Sequence, residues 1–185
     1  MNKPIVLLAS AVAAAVVFSS AVFSQAPPFG NPEDVDFANK VWAQMETLGV
    51  AGVTGDNVVR GFPYSGVEPH GFVLDTLYVK ATVDGRTADL VVKRNYGPEG
   101  VTVEEVQNDA ASHLAAITIM FKREAGYDDE DGNWFWAKYL PDGSLDQDGG
   151  MQLAGRVAKG MDAGCIACHA AADGGNFLFT TNHIQ

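Results

Sequence analysis

The strongest constraint on the fold comes from two apolar, β-branched segments that flank an Asp-Gly pair in the middle of the chain. These segments run from Val73 to Val83 and from Arg86 to Arg94. Asp84-Gly85 between them suits a two-residue hairpin turn, whose central residues adopt positive φ angles. The sequence therefore predicts an antiparallel β-hairpin.

A second pair of strands is predicted further along, in the segments AITIMFKRE and NWFWAKYL, which the acidic loop AGYDDEDG joins. Alternation with a period of two puts Ile117, Ile119 and Phe121 on one face of the first strand. In the second strand, one face carries Trp134, Trp136 and Lys138, and the other carries Phe135, Ala137 and Tyr139. Aromatic residues on both faces indicate a sheet that is at least partly covered on both sides.

An amphipathic helix is predicted ahead of these strands, from Glu33 to Leu48. Its apolar residues recur at helical spacing. Asn31 can cap its first turn, and Gly49 can end it. From Val50 to Gly71, glycines and prolines interrupt any period, so a loop with short extended pieces is expected there.

The region after the hairpin is less regular. We favour a short helix from Asp109 to Leu114. Residues 101–106 could form a strand or a helix, since their valines alternate while Thr102 and Glu105 form a potential capping box. A last short helix is expected around the two cysteines, with Asp162 as its cap. The predicted fold class is α+β: a mainly antiparallel β-sheet with an N-terminal helix and a short C-terminal helix.

The first 26 residues have the pattern of a secretory signal peptide. Lys3 supplies the positive start, the apolar run from Ile5 to Phe18 follows, and small residues stand at Ser24 and Ala26. That run has fourteen residues, fewer than the ~20 that a membrane-spanning helix needs. We therefore expect cleavage, a periplasmic mature domain over residues 27–185, and no stable membrane association.

The charge balance limits the partners of this domain. Twenty-three acidic residues outnumber twelve basic ones, which gives a formal net charge of −11. Nucleic acids and anionic membranes bind positively charged surfaces. The composition therefore excludes nucleic acid and leaves a basic protein or a small neutral or cationic ligand.

Both cysteines of the sequence lie in one late motif, GCIACH, which contains Cys165, Cys168 and His169. A disulfide between them would close a very small loop and add little stability. A redox pair usually opens a helix early in a βαβ unit. A zinc site would need further ligands such as His183. The spacing C-x-x-C-H is instead the signature of covalent haem attachment, and export agrees with it, because c-type haem is attached outside the bacterial cytoplasm.

The second axial ligand of such a haem is not evident from the sequence, because no methionine follows His169. Upstream candidates are Met45, Met120, Met151 and Met161, together with His70, His113 and the tail residue His183. Met120 is expected to be a packing residue, and His70 and His113 are expected at the surface. We therefore predict an open distal side lined by aromatic residues, with residues 134–136 and Phe121 as candidates.

Three segments together resemble the cytochrome P-460 family, which includes the cytochrome c′-beta proteins. They are VKRNYGPEG, AITIMFKREAGYDDEDGNWFWAKYLPDGS and AGRVAKGMDAGCIACHAAA. The resemblance implies a mainly antiparallel β fold, often dimeric, that carries one five-coordinate c-type haem. It also implies that Cys165 and Cys168 form the thioether bonds and that His169 is the proximal ligand of the iron.

The family divides into two functional groups, and the resemblance leaves both open. P-460 enzymes have a lysine–haem cross-link and oxidise hydroxylamine, whereas the c′-beta members lack it and bind nitric oxide or carbon monoxide. Lys80 and Lys93 lie in the relevant region, and we expect each to be a solvated strand lysine. The favoured function is an exported mono-haem cytochrome that binds or oxidises small nitrogen species. The alternatives are a hydroxylamine oxidoreductase and a simple electron-transfer cytochrome with a soluble redox partner.

Overall fold

A six-stranded antiparallel sheet forms the centre of the fold in the computed structural model, which describes residues 27–179. The predicted signal peptide and His183 lie outside the described residues. The α+β prediction is confirmed. The elements in chain order are α1 (Pro32–Thr47), β1 (Tyr64–Ser65), β2 (Val73–Val83), β3 (Arg86–Tyr96), α2 (Val103–Asn108), α3 (Ala110–His113), β4 (Leu114–Lys122), β5 (Trp134–Tyr139), β6 (Gln147–Asp148), β7 (Met151–Gln152), β8 (Ala154–Gly155) and α4 (Cys165–His169).

The predicted hairpin is strands β2 and β3, and it sits near one side of the sheet. The strand order is β1-β2-β3-β4-β5-β8, with every neighbouring pair antiparallel. Asp84 and Gly85 have φ angles of 49° and 77°, as the tight turn requires. The register pairs Val83 with Arg86, so the turn contains two residues.

One face of the sheet packs against α1. Ala38, Val41 and Met45 of the helix are fully buried, and the Tyr139 hydroxyl donates a hydrogen bond to the Ala38 carbonyl oxygen at 2.8 Å. The strand residues of this core include Leu90, Val92, Ile117, Ile119, Phe121, Phe135 and Tyr139. This face holds the larger apolar core of the described residues.

The opposite face of the sheet packs against the C-terminal segment. Its strand residues Val91, Met120, Trp134 and Trp136 form a second buried cluster with residues of that segment, among them Val157, Ile166 and Phe177. The prediction that both faces of the aromatic strand are covered is confirmed. The C-x-x-C-H motif is therefore held against the sheet face that α1 does not occupy.

The helix boundaries follow local capping. The Asn31 side chain accepts a hydrogen bond from the Asp34 amide, as predicted. Thr102 and Glu105 form a reciprocal capping box. Of the two conformations that the sequence allows for residues 101–106, the structure therefore has the helix, α2. The predicted helix from Asp109 to Leu114 is shorter than expected, because Asp109 is the cap of α3 and Leu114 starts β4. Within residues 27–179, no helix has the length and apolarity needed to cross a membrane.

Burial raises the pKa of one carboxyl group in the first turn of α1, that of Asp34. Asp34 lies against Gly155, where an added Cβ would fall 2.3 Å from the Asp34 Oδ2 atom. Desolvation raises the pKa of Asp34 to about 6, although Arg156 and the Asn31 side chain oppose the shift. The folded protein thus retains this proton at pH values where the unfolded chain has lost it.

We expect the free energy of unfolding to fall as the pH rises from about 4 to about 6, because the folded state then binds more protons than the unfolded state. The linked loss is at most about 3 kcal/mol, and solvent access to the carboxyl reduces it. In Asp34→Asn the part of this pH dependence that Asp34 contributes should disappear, while the part that comes from other buried carboxyls such as Asp75 remains. Denaturant titrations between pH 4 and pH 7 measure it, with Asp36→Asn on the same helix as the matched loss of one charge. Parallel pH profiles for wild type and Asp34→Asn would contradict the assignment.

Candidate functional site

Helix α4 presents the three residues of the motif from a single turn. It begins directly after Gly164, whose φ angle is 119° and where an added Cβ would lie 2.4 Å from the Ala158 Cβ. The predicted cap Asp162 is wrong: the position before the helix is Gly164, and no side chain caps it. Residues three and four apart share one face of a helix, so Cys165, Cys168 and His169 can face the same ligand.

All three residues line one cavity of about 530 Å³. Its floor is the sheet face opposite α1, where Val91, Met120 and Trp136 contribute side chains. The loop that contains β1, residues 64–70, forms another wall. The size and mostly apolar lining are typical of a cofactor site.

The His169 imidazole is held in one tautomer. Its Nδ1 atom lies 2.7 Å from the Phe177 carbonyl oxygen. A carbonyl can only accept, so Nδ1 carries the proton and Nε2 keeps a lone pair. The residue is 6% exposed, and burial lowers the pKa of its imidazole. The ring is therefore prepared to bind a metal through Nε2, and its bond to Phe177 is the kind that orients metal-binding histidines.

Aromatic rings surround this imidazole. The Trp136 ring centre lies 4.8 Å from it and the Phe179 ring centre 5.2 Å. The predicted aromatic lining is right for Trp136, but it is wrong for Phe121 and Phe135, which point into the α1 core. Trp134 packs beside the cavity, and its indole donates to the Asn176 carbonyl at 3.0 Å.

Both cysteines are free thiols. Cys165 is partly buried, and desolvation raises the pKa of its thiol, while Cys168 is exposed. Neither bonds to the other, so the tiny disulfide considered from the sequence is not formed. Two reduced thiols beside one cavity are the arrangement that thioether attachment requires.

The structure separates the two candidate lysines. Lys80 is near the hairpin turn, its side chain is 67% exposed, and it pairs with Asp89, as expected for a solvated strand lysine. Lys93 instead lines the cavity, and burial lowers the pKa of its amine. The expectation that both are solvated is therefore wrong for Lys93. It shares a face with Val91 on β3, and this alternation is the sequence signal that could have placed it.

The expected surface location of His70 is also wrong. The ring lines the cavity and faces His169, with the two ring centres 5.9 Å apart and their planes at 89°. Burial lowers the pKa of His70 to about 3. His113 is partly buried away from the cavity, with its Nδ1 atom 3.2 Å from the Gly97 carbonyl oxygen.

The methionines divide in the same way. Met120 is 5% exposed and lines the cavity, in agreement with its predicted packing role. Met45 is buried in the α1 core, and Met151 and Met161 are exposed. Among the methionines of residues 27–179, Met120 is the one that lines the cavity.

The segment before α4 is tied to the acidic loop between β4 and β5. The Lys159 ammonium forms ion pairs with Asp128, with Asp131 at 2.9 Å and with Glu130 at 3.3 Å. The Asp128 side chain is buried. This cluster helps fix the position of the segment that leads into the C-x-x-C-H motif.

The chemistry of this site fits a covalently held haem. It combines two free thiols, an imidazole with an available Nε2 atom and a large apolar cavity. These are the groups that a c-type haem requires: two thioether donors, one axial ligand and a dry pocket for the macrocycle.

Comparison with known proteins gives one match. The family model described as Cytochrome P460 matches residues 77–180, which is more than half of the chain. No curated protein and no solved structure matches the chain significantly. The matched range contains Lys93, Trp136 and the whole C-x-x-C-H motif, and it leaves out the loop that carries His70. The chain therefore belongs to the cytochrome P460 family, a family of haem proteins.

Proposed function

We propose that this protein is an exported mono-haem c-type cytochrome that binds or oxidises small nitrogen species such as nitric oxide and hydroxylamine. The observation that supports this most is the common cavity, where two thiols and the Nε2 atom of His169 meet an apolar sheet face. The bound haem would supply a redox-active iron with axial positions for ligands.

The cysteines and the histidine of the motif would hold the haem in different ways. The Cys165 and Cys168 thiols would each add across one vinyl group, forming a carbon–sulfur bond while the thiol proton moves to the neighbouring vinyl carbon. His169 would bind the iron through Nε2. Its hydrogen bond to Phe177 would strengthen the imidazole as a donor and fix its orientation.

The walls of the cavity would select the ligand. Val91, Met120 and Trp136 are apolar or aromatic and form an apolar side of the cavity. A small, weakly polar molecule such as nitric oxide loses little hydration on entering such a space, whereas an ion loses much more. The cavity thus favours uncharged diatomic and nitrogenous ligands.

A second candidate function rests on Lys93. Its partly desolvated amine borders the same cavity as the motif, as a cross-linked P-460 enzyme would require. Forming a nitrogen–carbon bond in place of a haem C–H bond removes two electrons and two protons, so an oxidant such as a peroxide is needed. Hydroxylamine oxidation to nitric oxide then releases three electrons and three protons. Glu68, an exposed carboxylate that lines the cavity, would be the candidate acceptor of these protons.

The partners that we propose rest on the predicted export and on the net charge. A soluble electron carrier would exchange electrons with the haem, and the acidic surface favours a carrier with a basic face. If the protein only transfers electrons, the cavity should bind no exogenous ligand. A homodimer is in keeping with exposed apolar residues near β1, such as Phe62 and Val67.

Mass spectrometry of the denatured, haem-loaded protein distinguishes these functions. We expect one haem mass on the peptide that contains Cys165 and Cys168, and a signal peptide removed near residue 26. A second linked peptide containing Lys93 would support the enzyme, with Lys80→Arg as the control and Lys93→Arg abolishing the link. A mature mass without haem would refute the proposal.

Ligand titration completes this test. The reduced protein should bind nitric oxide or carbon monoxide with one ligand per chain, seen as a saturable shift of the main haem absorption band. Hydroxylamine-dependent reduction of an added electron acceptor should accompany the Lys93 link. A loaded protein that binds neither gas nor hydroxylamine would be an electron-transfer cytochrome only.

A further inference from the structure

The feature with the most direct consequence for the iron is His70, which no part of the family match covers. Its loop is fixed by main-chain hydrogen bonds. The Gly66 amide donates to the Phe72 carbonyl at 2.8 Å, and the Phe72 amide donates to the Tyr96 carbonyl at 3.1 Å. The loop is therefore anchored to the end of β3.

Two further contacts set the direction of the His70 side chain. The His70 amide donates to the Val67 carbonyl at 3.1 Å, which closes a turn just before it. Gly71 follows with a φ angle of 123°, and an added Cβ there would lie 2.9 Å from the Tyr96 carbonyl oxygen. From this position the His70 side chain lines the cavity.

In both histidines the Nδ1 atom is in contact with a protein oxygen. Nδ1 of His169 is used by the Phe177 carbonyl, and Nδ1 of His70 makes a long 3.5 Å contact with the Thr118 hydroxyl. In each ring this leaves Nε2 for another partner. The Asn95 side chain donates to the same Thr118 hydroxyl at 3.4 Å, so this hydroxyl is held within a polar network.

The distance between the rings matches that expected for two imidazoles that bind one metal ion. Imidazole nitrogens lie about 2.0 to 2.1 Å from a bound first-row metal ion, so two imidazoles on opposite sides of one ion have ring centres roughly 6 Å apart. A distal histidine that only hydrogen-bonds an iron-bound ligand would be roughly 8 Å from the proximal ring. The observed separation is 5.9 Å, which agrees with the first arrangement.

We infer that His70 is the second axial ligand of the haem iron, opposite His169, in the resting protein, and that small ligands bind by displacing it. This inference rests on the haem attachment proposed above and replaces the open distal position expected from the family resemblance. The anchored loop would have to release His70 before a ligand binds. The fraction of protein with His70 dissociated then scales the apparent affinity.

Absorption and electron paramagnetic resonance spectra of the haem-loaded protein test this. Wild type should be low-spin and six-coordinate in both oxidation states. His70→Ala should become high-spin and five-coordinate, and added imidazole should restore the low-spin spectrum. Because the competing ligand is gone, the Kd for carbon monoxide should fall by about tenfold or more. His113→Ala, a histidine outside the cavity, should retain the wild-type spectra and affinity.

Other outcomes overturn the inference separately from the proposed function. A loaded wild-type protein that is already high-spin shows that His70 is not a ligand, while the haem proposal stands. A His70→Ala protein that stays low-spin assigns the ligand to another side chain such as Met120. Absence of haem from wild type refutes both. A high-spin wild-type spectrum overturns the inference even where the variant does not fold.

Discussion

Replacing both Cys165 and Cys168 by alanine is expected to abolish covalent retention of haem completely. In the proposed attachment each thioether would be an independent covalent bond, so either single variant should still hold the group through its remaining cysteine. In the double variant, His169 and the cavity of about 530 Å³ remain, and we expect haem that binds while the protein is folded and is lost on denaturation. Acidified organic extraction followed by mass spectrometry of the protein measures this retention.

The double variant also tests whether Lys93 is bonded to the haem, because neither cysteine can then hold it. If the protein retains haem after denaturation without either cysteine, the bond runs through another residue, and Lys93 lines the same cavity. Adding Lys93→Arg should then remove the group. Release from the cysteine double variant, together with retention in both single variants, would establish the two thioethers as the only covalent links.

Short-range signals in the sequence predict most of the sheet. The Asp84-Gly85 turn fixes the β2–β3 hairpin because a two-residue turn sets the register of both strands. The Thr102–Glu105 capping box is likewise visible in the sequence, although the competing alternation of valines hid it. These features depend on residues that are neighbours along the chain, which is why sequence reasoning finds them.

Alternation identifies two faces of a strand but does not say which face meets which partner. The sequence grouped Phe121 with Trp136 as cavity residues, yet Trp136 pairs with Met120 in the register and Phe121 pairs with Phe135. Phe121 and Trp136 are therefore on opposite faces. The assignment depends on where α1 and the C-terminal segment pack, and that is determined by tertiary contacts.

His70 illustrates the same limit at the site. Nothing in the sequence around it is periodic, and its loop is shaped by main-chain contacts with Tyr96 at the end of β3. Those contacts join residues far apart in sequence. The C-x-x-C-H motif could be recognised because its chemistry is contained in five residues, whereas the opposite wall of its cavity is assembled from separate segments.

The hairpin that carries Lys93 also contains a buried ion pair on its other face. Arg94 is 1% exposed and lies 3.5 Å from the Asp75 carboxylate across the β2–β3 pair. Its guanidinium also donates to the main-chain oxygens of Val59 at 2.9 Å and Val50 at 3.3 Å. Arg94 thus connects the hairpin to the loop between α1 and β1. That loop leads into residues 64–70, the cavity wall that contains His70.

Replacing Arg94 by methionine is expected to lower the free energy of unfolding by about 3 to 5 kcal/mol, because it leaves Asp75 as an uncompensated buried charge. Burial already raises the pKa of Asp75, and Arg94 opposes that shift. Without Arg94 the carboxyl should take up a proton more readily, so the destabilisation should be smaller at acid pH and grow as the pH rises. Denaturant unfolding of the variant and wild type at several pH values measures both effects.

The same hairpin supplies the control for this prediction. Lys80 and Asp89 form an exposed pair across the same two strands, and Lys80→Met should cost no more than about 1 kcal/mol. The double variant Arg94→Met/Asp75→Leu should recover much of the lost stability, since it removes both charges together. If Arg94→Met and Lys80→Met were equally mild, burial of the Arg94–Asp75 pair would contribute nothing to holding the hairpin against the loop.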